Sequence, residues 1–354
     1  MAPREAMMPA LERVLYGGQI SQGVEVENFE AEFGRFIGHS PAFSFYSGTA
    51  ALHTALILAG VGPDDEVIST PMTAEPTNLA IRYAGGKVVW ADVDPRSGNI
   101  DPDSIAEKIT PRTRALMVVH YGGIPAAIDR IRAAAEPHSI AVIEDAAHAL
   151  GARYGGVPLG RHSEYVMFSL QAIKHLTTVD GGMLALARKE DEERCRRIRW
   201  FGIDRKAART QVDVREVGYK YHMNNVNAVI GSVQLAYISP AIARHIDNGR
   251  FFDRTLSGIP GLETPRWDDK AEPSYWFYTL LAERRDDLSR MLEGHGIGNS
   301  LAHRRNDEHS VFASSRCALP GLDRFYSRML HIPCGWWVSD EDREYIADTL
   351  KRGW

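Results

Sequence analysis

Cysteine is scarce in this chain of 354 residues, which contains only Cys195, Cys317 and Cys334. The three lie far apart, form no CxxC pair and cannot all pair with one another, so neither a disulfide framework nor a zinc site is indicated. Scattered cysteines favour a reducing compartment. We therefore expect a cytoplasmic protein with no bound metal.

Long apolar runs and a net positive charge are also missing. No apolar stretch approaches the roughly 20 residues needed to span a bilayer. The first residues, MAPREAMMPALERVL, show no apolar core followed by a cleavage site. The sequence has 41 Lys and Arg against 46 Asp and Glu, a formal charge of −5, which argues against a broad surface for nucleic acid or anionic membranes. We expect neither as a partner.

What the sequence does contain is a regular alternation of short β-rich runs and helical patterns between about residues 40 and 190. Strands are predicted at 42–46, 66–70, 87–94, 115–120, 141–147 and 164–170. Alternation at this spacing predicts an α/β fold with a mostly parallel central sheet and flanking helices.

The pattern changes after about residue 190. A long helical pattern interrupted near Pro240 is followed by a predicted strand at 274–283 and a terminal helix. We predict two domains, a large α/β domain over residues 1–237 and a smaller C-terminal α+β domain over 238–354.

Polar side chains follow several of the predicted strands. Ser47–Gly48–Thr49 comes after the first strand, Asp145 ends the AVIED strand, and Ser169 and Lys174 lie in the segment FSLQAIK. Ligands of open parallel sheets bind beyond the carboxyl ends of the strands. We therefore expect these groups to converge at one edge of the sheet.

Taken one at a time, these residues have ordinary explanations. Lys174 is most simply a surface lysine, or the partner of an acid such as Asp180, and Asp145 is most simply a helix cap. His148 is most simply a histidine satisfied by packing, and Ser47–Gly48–Thr49 a helix-capping turn. Together, however, they provide what pyridoxal phosphate (PLP) requires: a desolvated amine for a Schiff base, an acid for the pyridinium and a helix N-terminus for the phosphate.

Four longer stretches carry a more specific signal: VIEDAAHALGARYGGVPLG, FSLQAIKHLTTVDGG, YSGTAALHTAL and GYKYHMNNVNAVIGSVQL. Together they resemble the DegT/DnrJ/EryC1/StrS family, the PLP-dependent sugar aminotransferases of fold type I. The similarity runs nearly from end to end, from GGQISQGVEVENFEAEFGRFIG to SDEDREYIADTLKRG.

The resemblance assigns a role to each matching residue. It implies that Lys174 binds the cofactor as a Schiff base, that Asp145 pairs with the pyridinium, and that His148 contacts the ring hydroxyl. The phosphate ligands that it implies are Gly48, Thr49 and Ser169.

Two positions depart from the usual pattern of the family. A G-x-N-x-R segment of the neighbouring subunit usually reaches the phosphate, which implies a homodimer with the active site at the subunit interface. Lys220 stands at the position of the Asn, where it can act on a phosphate as a point charge. Ala74 stands where many relatives have an aromatic ring stacked on the cofactor, so we expect a roomier or differently shaped substrate side.

The implied activity is a ping-pong transamination from glutamate, through pyridoxamine phosphate, to a keto sugar of the 3- or 4-keto-6-deoxy type that is expected to be nucleotide-linked. The same chemistry on a cyclitol or another non-sugar ketone remains an alternative. A pyridoxamine phosphate-dependent sugar dehydratase is disfavoured because those relatives have a histidine at the position of Lys174. A non-catalytic PLP-binding regulator is disfavoured because Lys174, Asp145 and Ser169 are all present.

Contacts to the acceptor are the least specific predictions. Arginines suit a pyrophosphate, although a solvated basic loop is an equally ordinary interpretation of the LAHRRND segment. The candidate residues are Gln22, His303, Arg304 and Arg305.

Overall fold

The computed structural model describes residues 2–38 and 41–354. Its α-helices are α1 (Arg4–Tyr16), α2 (Val24–Phe36), α3 (Gly48–Leu58), α4 (Glu75–Tyr83), α5 (Pro102–Lys108), α6 (Ile128–Ala135), α7 (Asp191–Ile198), α8 (Asn225–Leu235), α9 (Ile238–Thr255), α10 (Arg285–Gly294), α11 (Pro320–Arg328) and α12 (Asp340–Lys351). Its strands are β1 (Ala42–Phe45), β2 (Glu66–Ser69), β3 (Lys87–Trp90), β4 (Thr113–Val119), β5 (Ala141–Asp145), β6 (Arg153–Tyr154), β7 (Val157–Pro158), β8 (Tyr165–Ser169), β9 (Gly182–Leu186), β10 (Leu262–Glu263), β11 (Ala271–Glu272), β12 (Tyr278–Ala282) and β13 (Met329–Ile332). Short 3₁₀ helices lie at Tyr121–Gly123, Glu136–His138, Asn306–Glu308 and Ser310–Ser315.

The central sheet has seven strands in the order β1-β9-β8-β5-β4-β2-β3. The strands from β8 to β3 are mutually parallel, whereas β9 runs antiparallel to both of its neighbours, β1 and β8. As a result β1, β5 and β8 all point the same way, and their carboxyl ends meet at one edge. The predicted α/β fold with a mostly parallel sheet is confirmed.

Helices cover both faces of this sheet. One apolar core packs α2 and α6 against the sheet through residues such as Phe29 and Ile131. A second core packs α3, α4 and α7 on the other face through residues such as Leu56, Ile81 and Ile198. Because its strands are buried on both sides, the sheet forms a rigid base from which loops project at the strand ends.

A third apolar core lies under a small sheet in the order β10-β12-β13. It joins this sheet to α9, α10 and α12. A further short sheet has the order β11-β6-β7. The division into 1–237 and 238–354 stays a prediction, and its boundary falls at the start of α9.

The prediction of a strand over 274–283 was wrong for its first half, because β12 begins only at Tyr278. Tyr275 has a φ of +49°, which a strand does not accommodate. The backbone N–H groups of Ser274 and Trp276 donate to the carbonyls of Gly123 and Gly122, at 3.0 and 2.9 Å, instead of joining the small sheet. Similarly, β3 ends at Trp90 rather than at residue 94.

The predicted interruption near Pro240 occurs slightly earlier. Helices α8 and α9 meet at a bend of 62° between Leu235 and Ile238, and Pro240 lies in the first turn of α9, where a missing N–H is tolerated. In the described part of the chain, no single helix is long and apolar enough to cross a membrane. Among the described helices, the bent α8–α9 pair alone meets the criterion of length and composition.

Both edges of the central sheet are covered by other segments. At the β1 edge, Phe45 bridges to His222, and the N–H of Tyr46 donates to the Tyr221 carbonyl at 2.9 Å. At the β3 edge, the Ser315 hydroxyl donates to the Val88 carbonyl at 2.7 Å. Neither outer strand is therefore fully open to solvent.

Candidate active site

A cavity of about 360 Å³ opens at the edge where β1, β5 and β8 end. Most of the residues proposed from the sequence line its wall, although they come from distant parts of the chain. Those that line it are Gly48, Thr49, Ala74, Asp145, His148, Ser169, Lys174 and His303.

One wall is the N-terminus of α3. Ser47 caps this helix, its hydroxyl accepting from the N–H of Ala50 at 3.2 Å, and the first backbone N–H groups of α3 are at the cavity. Gly182 lies directly against this turn, since a Cβ there would come within 2.6 Å of backbone atoms of Ser47 and Gly48. The Ser169 hydroxyl lies on the same wall. Helix N-terminal N–H groups together with hydroxyls suit a phosphate.

Asp145 ends β5 and is 4% exposed. Its Oδ2 accepts from the Thr77 hydroxyl at 2.7 Å, and its Oδ1 accepts from the N–H of Ala147 at 3.0 Å. Burial raises the pKa of this carboxyl, against the opposing effects of Thr77, Ala147 and the nearby Lys174 charge. The two hydrogen bonds fix the orientation of the carboxylate, and a positively charged group in the cavity would stabilise it.

Lys174 lies in the turn that follows β8. Burial lowers its pKa to about 8, with the Asp145 charge opposing the shift. Its Nζ lies 3.6 Å from the ring centroid of Trp276. A larger fraction of this amine is therefore unprotonated near neutral pH than for an exposed lysine, as a nucleophile or a proton acceptor requires.

His148 is buried beside these two groups. Burial lowers its pKa well below the usual value, and the neighbouring Lys174 and His303 lower it further, so the ring is neutral. Its Nδ1 has no hydrogen-bond partner among the described residues. Its ring stacks on Trp276, with centroids 3.9 Å apart and planes at 19°.

These groups fit PLP. The amine of Lys174 can bind its aldehyde, the oriented carboxylate of Asp145 can hold its protonated ring nitrogen, and the unpaired Nδ1 of His148 can bond its ring hydroxyl. The turn at Gly48 and Thr49 offers N–H groups to its phosphate. A buried nitrogen without a hydrogen-bond partner costs free energy in a folded protein, and the ring hydroxyl of bound PLP would supply that partner.

Four of the residues predicted from the sequence do not line this cavity. Lys220 is exposed, in the segment that covers the β1 edge, where it forms a bridge with Trp200. Gln22 lines a different cavity of about 640 Å³, beside α7. Arg304 and Arg305 are paired with acids, Arg304 with Glu308 at 2.8 Å and Arg305 with Asp307 at 2.7 Å.

Two residues of the site were missed from the sequence. Thr77 orients Asp145, and a threonine in the first turn of a helix after EP gives no signal of its own. Trp276 lies in SYWFYTLLAE, which was interpreted as a strand because an aromatic-rich run is typical of one.

Comparisons with known proteins agree with this geometry. The model of the DegT/DnrJ/EryC1/StrS aminotransferase family matches residues 2–351. The spore coat polysaccharide biosynthesis protein SpsC of Bacillus subtilis (strain 168) is 31% identical over 355 residues, which cover 95% of this chain and 91% of SpsC.

Two solved structures are closely similar. AtS13 from Actinomadura melliaura is 41% identical, with a TM-score of 0.97 over 100% of this chain and 97% of that one. The sugar aminotransferase CalS13 from Micromonospora echinospora is 39% identical, with a TM-score of 0.96 over 100% and 98%. The chain therefore belongs to the DegT/DnrJ/EryC1/StrS aminotransferase family and is a PLP-dependent transaminase of fold type I.

Proposed function

We propose that the protein transfers an amino group from glutamate to a keto sugar carried on a nucleoside diphosphate, most simply a 3- or 4-keto-6-deoxy sugar. The observation that carries this proposal is the convergence of Lys174, Asp145 and the N-terminus of α3 on one cavity. Similarity to a sugar aminotransferase and to a polysaccharide biosynthesis protein supports a sugar as the acceptor. The cysteine usage supports action in the cytoplasm.

In this proposal each residue has a distinct task. When bound, PLP would supply an electron sink for the negative charge left by loss of the donor's α-proton. Lys174 Nζ takes up that proton as a general base and returns it as a general acid, for which a pKa of about 8 is well suited. Asp145 keeps the ring nitrogen protonated, and His148 orients the ring through its hydroxyl.

The acceptor is proposed to enter between Ala74 and His303. Ala74 presents only a methyl group to the cavity, which leaves room for a sugar ring. Burial and, to a smaller extent, the nearby Lys174 charge lower the pKa of His303 to about 4. His303 is thus neutral and able to hydrogen-bond a sugar hydroxyl, and its Nε2 has no partner among the described residues.

Two half reactions test the proposal. Glutamate added to the PLP-loaded protein should change the visible absorbance of the bound cofactor and release 2-oxoglutarate, and a nucleotide-linked keto sugar should restore the absorbance. Lys174→Ala should abolish turnover, whereas the exposed Lys189→Ala should not. Turnover by Lys174→Ala would remove this lysine from the mechanism, and failure of every keto sugar in a 3-keto and 4-keto panel would favour a cyclitol or another ketone.

We also propose that the active form is a homodimer in which Lys220 of one subunit reaches the phosphate of the other. The exposed position of Lys220 outside its own cavity supports this arrangement. Apolar side chains next to the cavity are also strongly exposed, including Tyr46 (48%), Ile173 (61%) and Val179 (57%). Exposed apolar patches mark protein interfaces.

Subunit mixing tests this arrangement. Lys174→Ala and Lys220→Ala homodimers should each have low activity. Equal mixing with subunit exchange should restore about a quarter of the wild-type sites, because half of the dimers are mixed and each contains one intact site. No recovery despite exchange would place Lys220 at the site of its own subunit or outside the mechanism.

A further inference from the structure

The indole of Trp276 contacts three groups of the active site. Its Nε1 donates to the carbonyl of Ile173 at 2.9 Å. Its ring lies 3.6 Å from Lys174 Nζ and stacks on His148 at 3.9 Å. One side chain thus links the lysine turn to the histidine that faces the cavity.

Trp276 is held by a strained and well-anchored segment. Tyr275, the residue before it, has a φ of +49°, a conformation that is unfavourable for a non-glycine residue and persists only where the surroundings enforce it. The ring of Tyr275 packs on Gly249, where a Cβ would come within 2.3 Å. The N–H of Trp276 donates to the Gly122 carbonyl at 2.9 Å. These contacts fix the direction of the indole.

The indole gives the ammonium of Lys174 a favourable contact in addition to Asp145. Lys174 is largely removed from water, and Asp145 is the anionic group that acts on it. The face of a tryptophan ring attracts a nearby ammonium, most strongly where water is excluded. Ala74, at the position where many relatives have an aromatic ring, offers no such face.

We propose that Trp276 is a positioning residue for the reaction, and that its π-face holds the ammonium of Lys174 in the cavity while its N–H fixes the lysine turn. The catalytic consequence rests on the proposed role of Lys174. The indole also holds the ring of His148 in the orientation that its unpaired Nδ1 needs to bond the ring hydroxyl of PLP.

The test is a titration of Lys174 in the cofactor-free protein. Lysines labelled with ¹³C at Cε are followed by NMR against pH, and Lys174→Ala assigns the resonance. Trp276→Phe keeps an aromatic face, whereas Trp276→Leu fills similar space without one. We expect the Lys174 pKa in Trp276→Leu to fall by about 0.4–1 unit below that in Trp276→Phe. Equal values in these two variants, or a higher value in Trp276→Leu, would overturn the proposal.

A second measurement keeps the test decisive if Trp276→Leu does not fold. Tryptophan analogues with increasing numbers of fluorine atoms weaken the π-face without altering the shape of the ring, and the Lys174 pKa should fall with each added fluorine. A pKa that does not respond to fluorination would overturn the proposal. Because no turnover is measured, failure of the proposed catalytic role of Lys174 would show in the Lys174→Ala assay and leave this titration unchanged.

Activity provides a further readout. In Trp276→Leu, the acidic limb of the kcat–pH profile should lie about 0.4–1 pH unit below that of Trp276→Phe, because the free amine of Lys174 then persists to lower pH, with little change in KM for glutamate. A loss confined to KM would instead indicate a substrate contact.

Discussion

Two walls of the cavity are built in different ways. The strand-end wall consists of Gly48, Asp145 and Ser169, which lie at the ends of strands or the start of a helix in the buried central sheet. The loop wall consists of Trp276 and His303, which lie in irregular segments outside that sheet. The strand-end wall is positioned by regular backbone hydrogen bonding, and the loop wall by individual side-chain contacts.

The anchor of the loop wall illustrates this difference. Asn306, three residues after His303, is fully buried. Its Nδ2 donates to the Thr73 carbonyl at 2.8 Å, and its Oδ1 accepts from Asn78 at 2.9 Å. One amide side chain therefore ties the His303 loop to the segment that begins α4. We expect damage to the strand-end wall to impair chemistry, and damage to the His303 side of the loop wall to impair recognition of the acceptor.

The largest expected effect is on the strand-end wall. Asp145→Asn removes the charge proposed to pair with the ring nitrogen of PLP, and kcat should fall about 10²- to 10³-fold in both half reactions. Thr77→Val is the matched control, since it removes one hydrogen bond to Asp145 and leaves the charge. It should cost about tenfold or less. Near-normal turnover by Asp145→Asn would show that the strand-end wall does not carry the chemistry.

The second prediction concerns the phosphate turn. Gly182→Ala places a Cβ against the backbone of Ser47 and Gly48, and backbone atoms cannot move aside as a flexible side chain can. We expect a loss of about 1–3 kcal/mol in the free energy of unfolding and weaker retention of PLP during dialysis. Gly298→Ala, at a glycine with open space around it, is the control. Equal retention of PLP by both variants would contradict the assignment of this turn to the phosphate.

The third prediction separates the two walls. Asn306→Ala removes the hydrogen bonds of Asn306 with the Thr73 carbonyl and with Asn78 and loosens the His303 loop, and we expect KM for the keto-sugar acceptor to rise about tenfold. The glutamate half reaction should change by less than about twofold. Asn299→Ala, which loses contacts to Ser289, is a control nearby in the chain. An equal loss in both half reactions of Asn306→Ala would remove the distinction between the walls.

The smallest effect is on stability. The pKa of Lys174 is about 8 in the folded protein against an ordinary value of 10.5, so between these pH values the unfolded chain binds more protons and stability rises with pH. Below pH 8 the destabilising contribution is fully present. Cofactor-free Lys174→Met should therefore melt at a higher temperature than the wild type at pH 7, and this advantage should shrink towards pH 10.5. A constant difference across that range would contradict the lowered pKa.

The strand-end wall could be predicted from the sequence because its signals are local. A polar residue at the end of an apolar run, as at Asp145 and Ser169, indicates how deep in the fold that residue lies and at which edge of the sheet. The sheet was predictable for the same reason, since buried parallel strands read as short apolar runs.

The loop wall could not be predicted from such signals. The bend at Tyr275 depends on Gly122, Gly123 and Gly249, which lie far away in the sequence. Arg304 and Arg305 looked suited to a pyrophosphate, but the acids that follow in RRNDE pair with both. Whether Gln22 and Lys220 act at the site depends on a second subunit and stays a prediction.

The cover over the β1 edge has a consequence for solubility. An uncovered outer strand can pair with a strand of another molecule and start aggregation, and at β1 the segment Tyr221–His222 occupies that position. Lys220 precedes this segment directly. A substitution that displaces the segment would thus expose a strand that can aggregate, and would also alter the phosphate contact proposed for Lys220. Turbidity or light scattering would separate these two causes of lost activity.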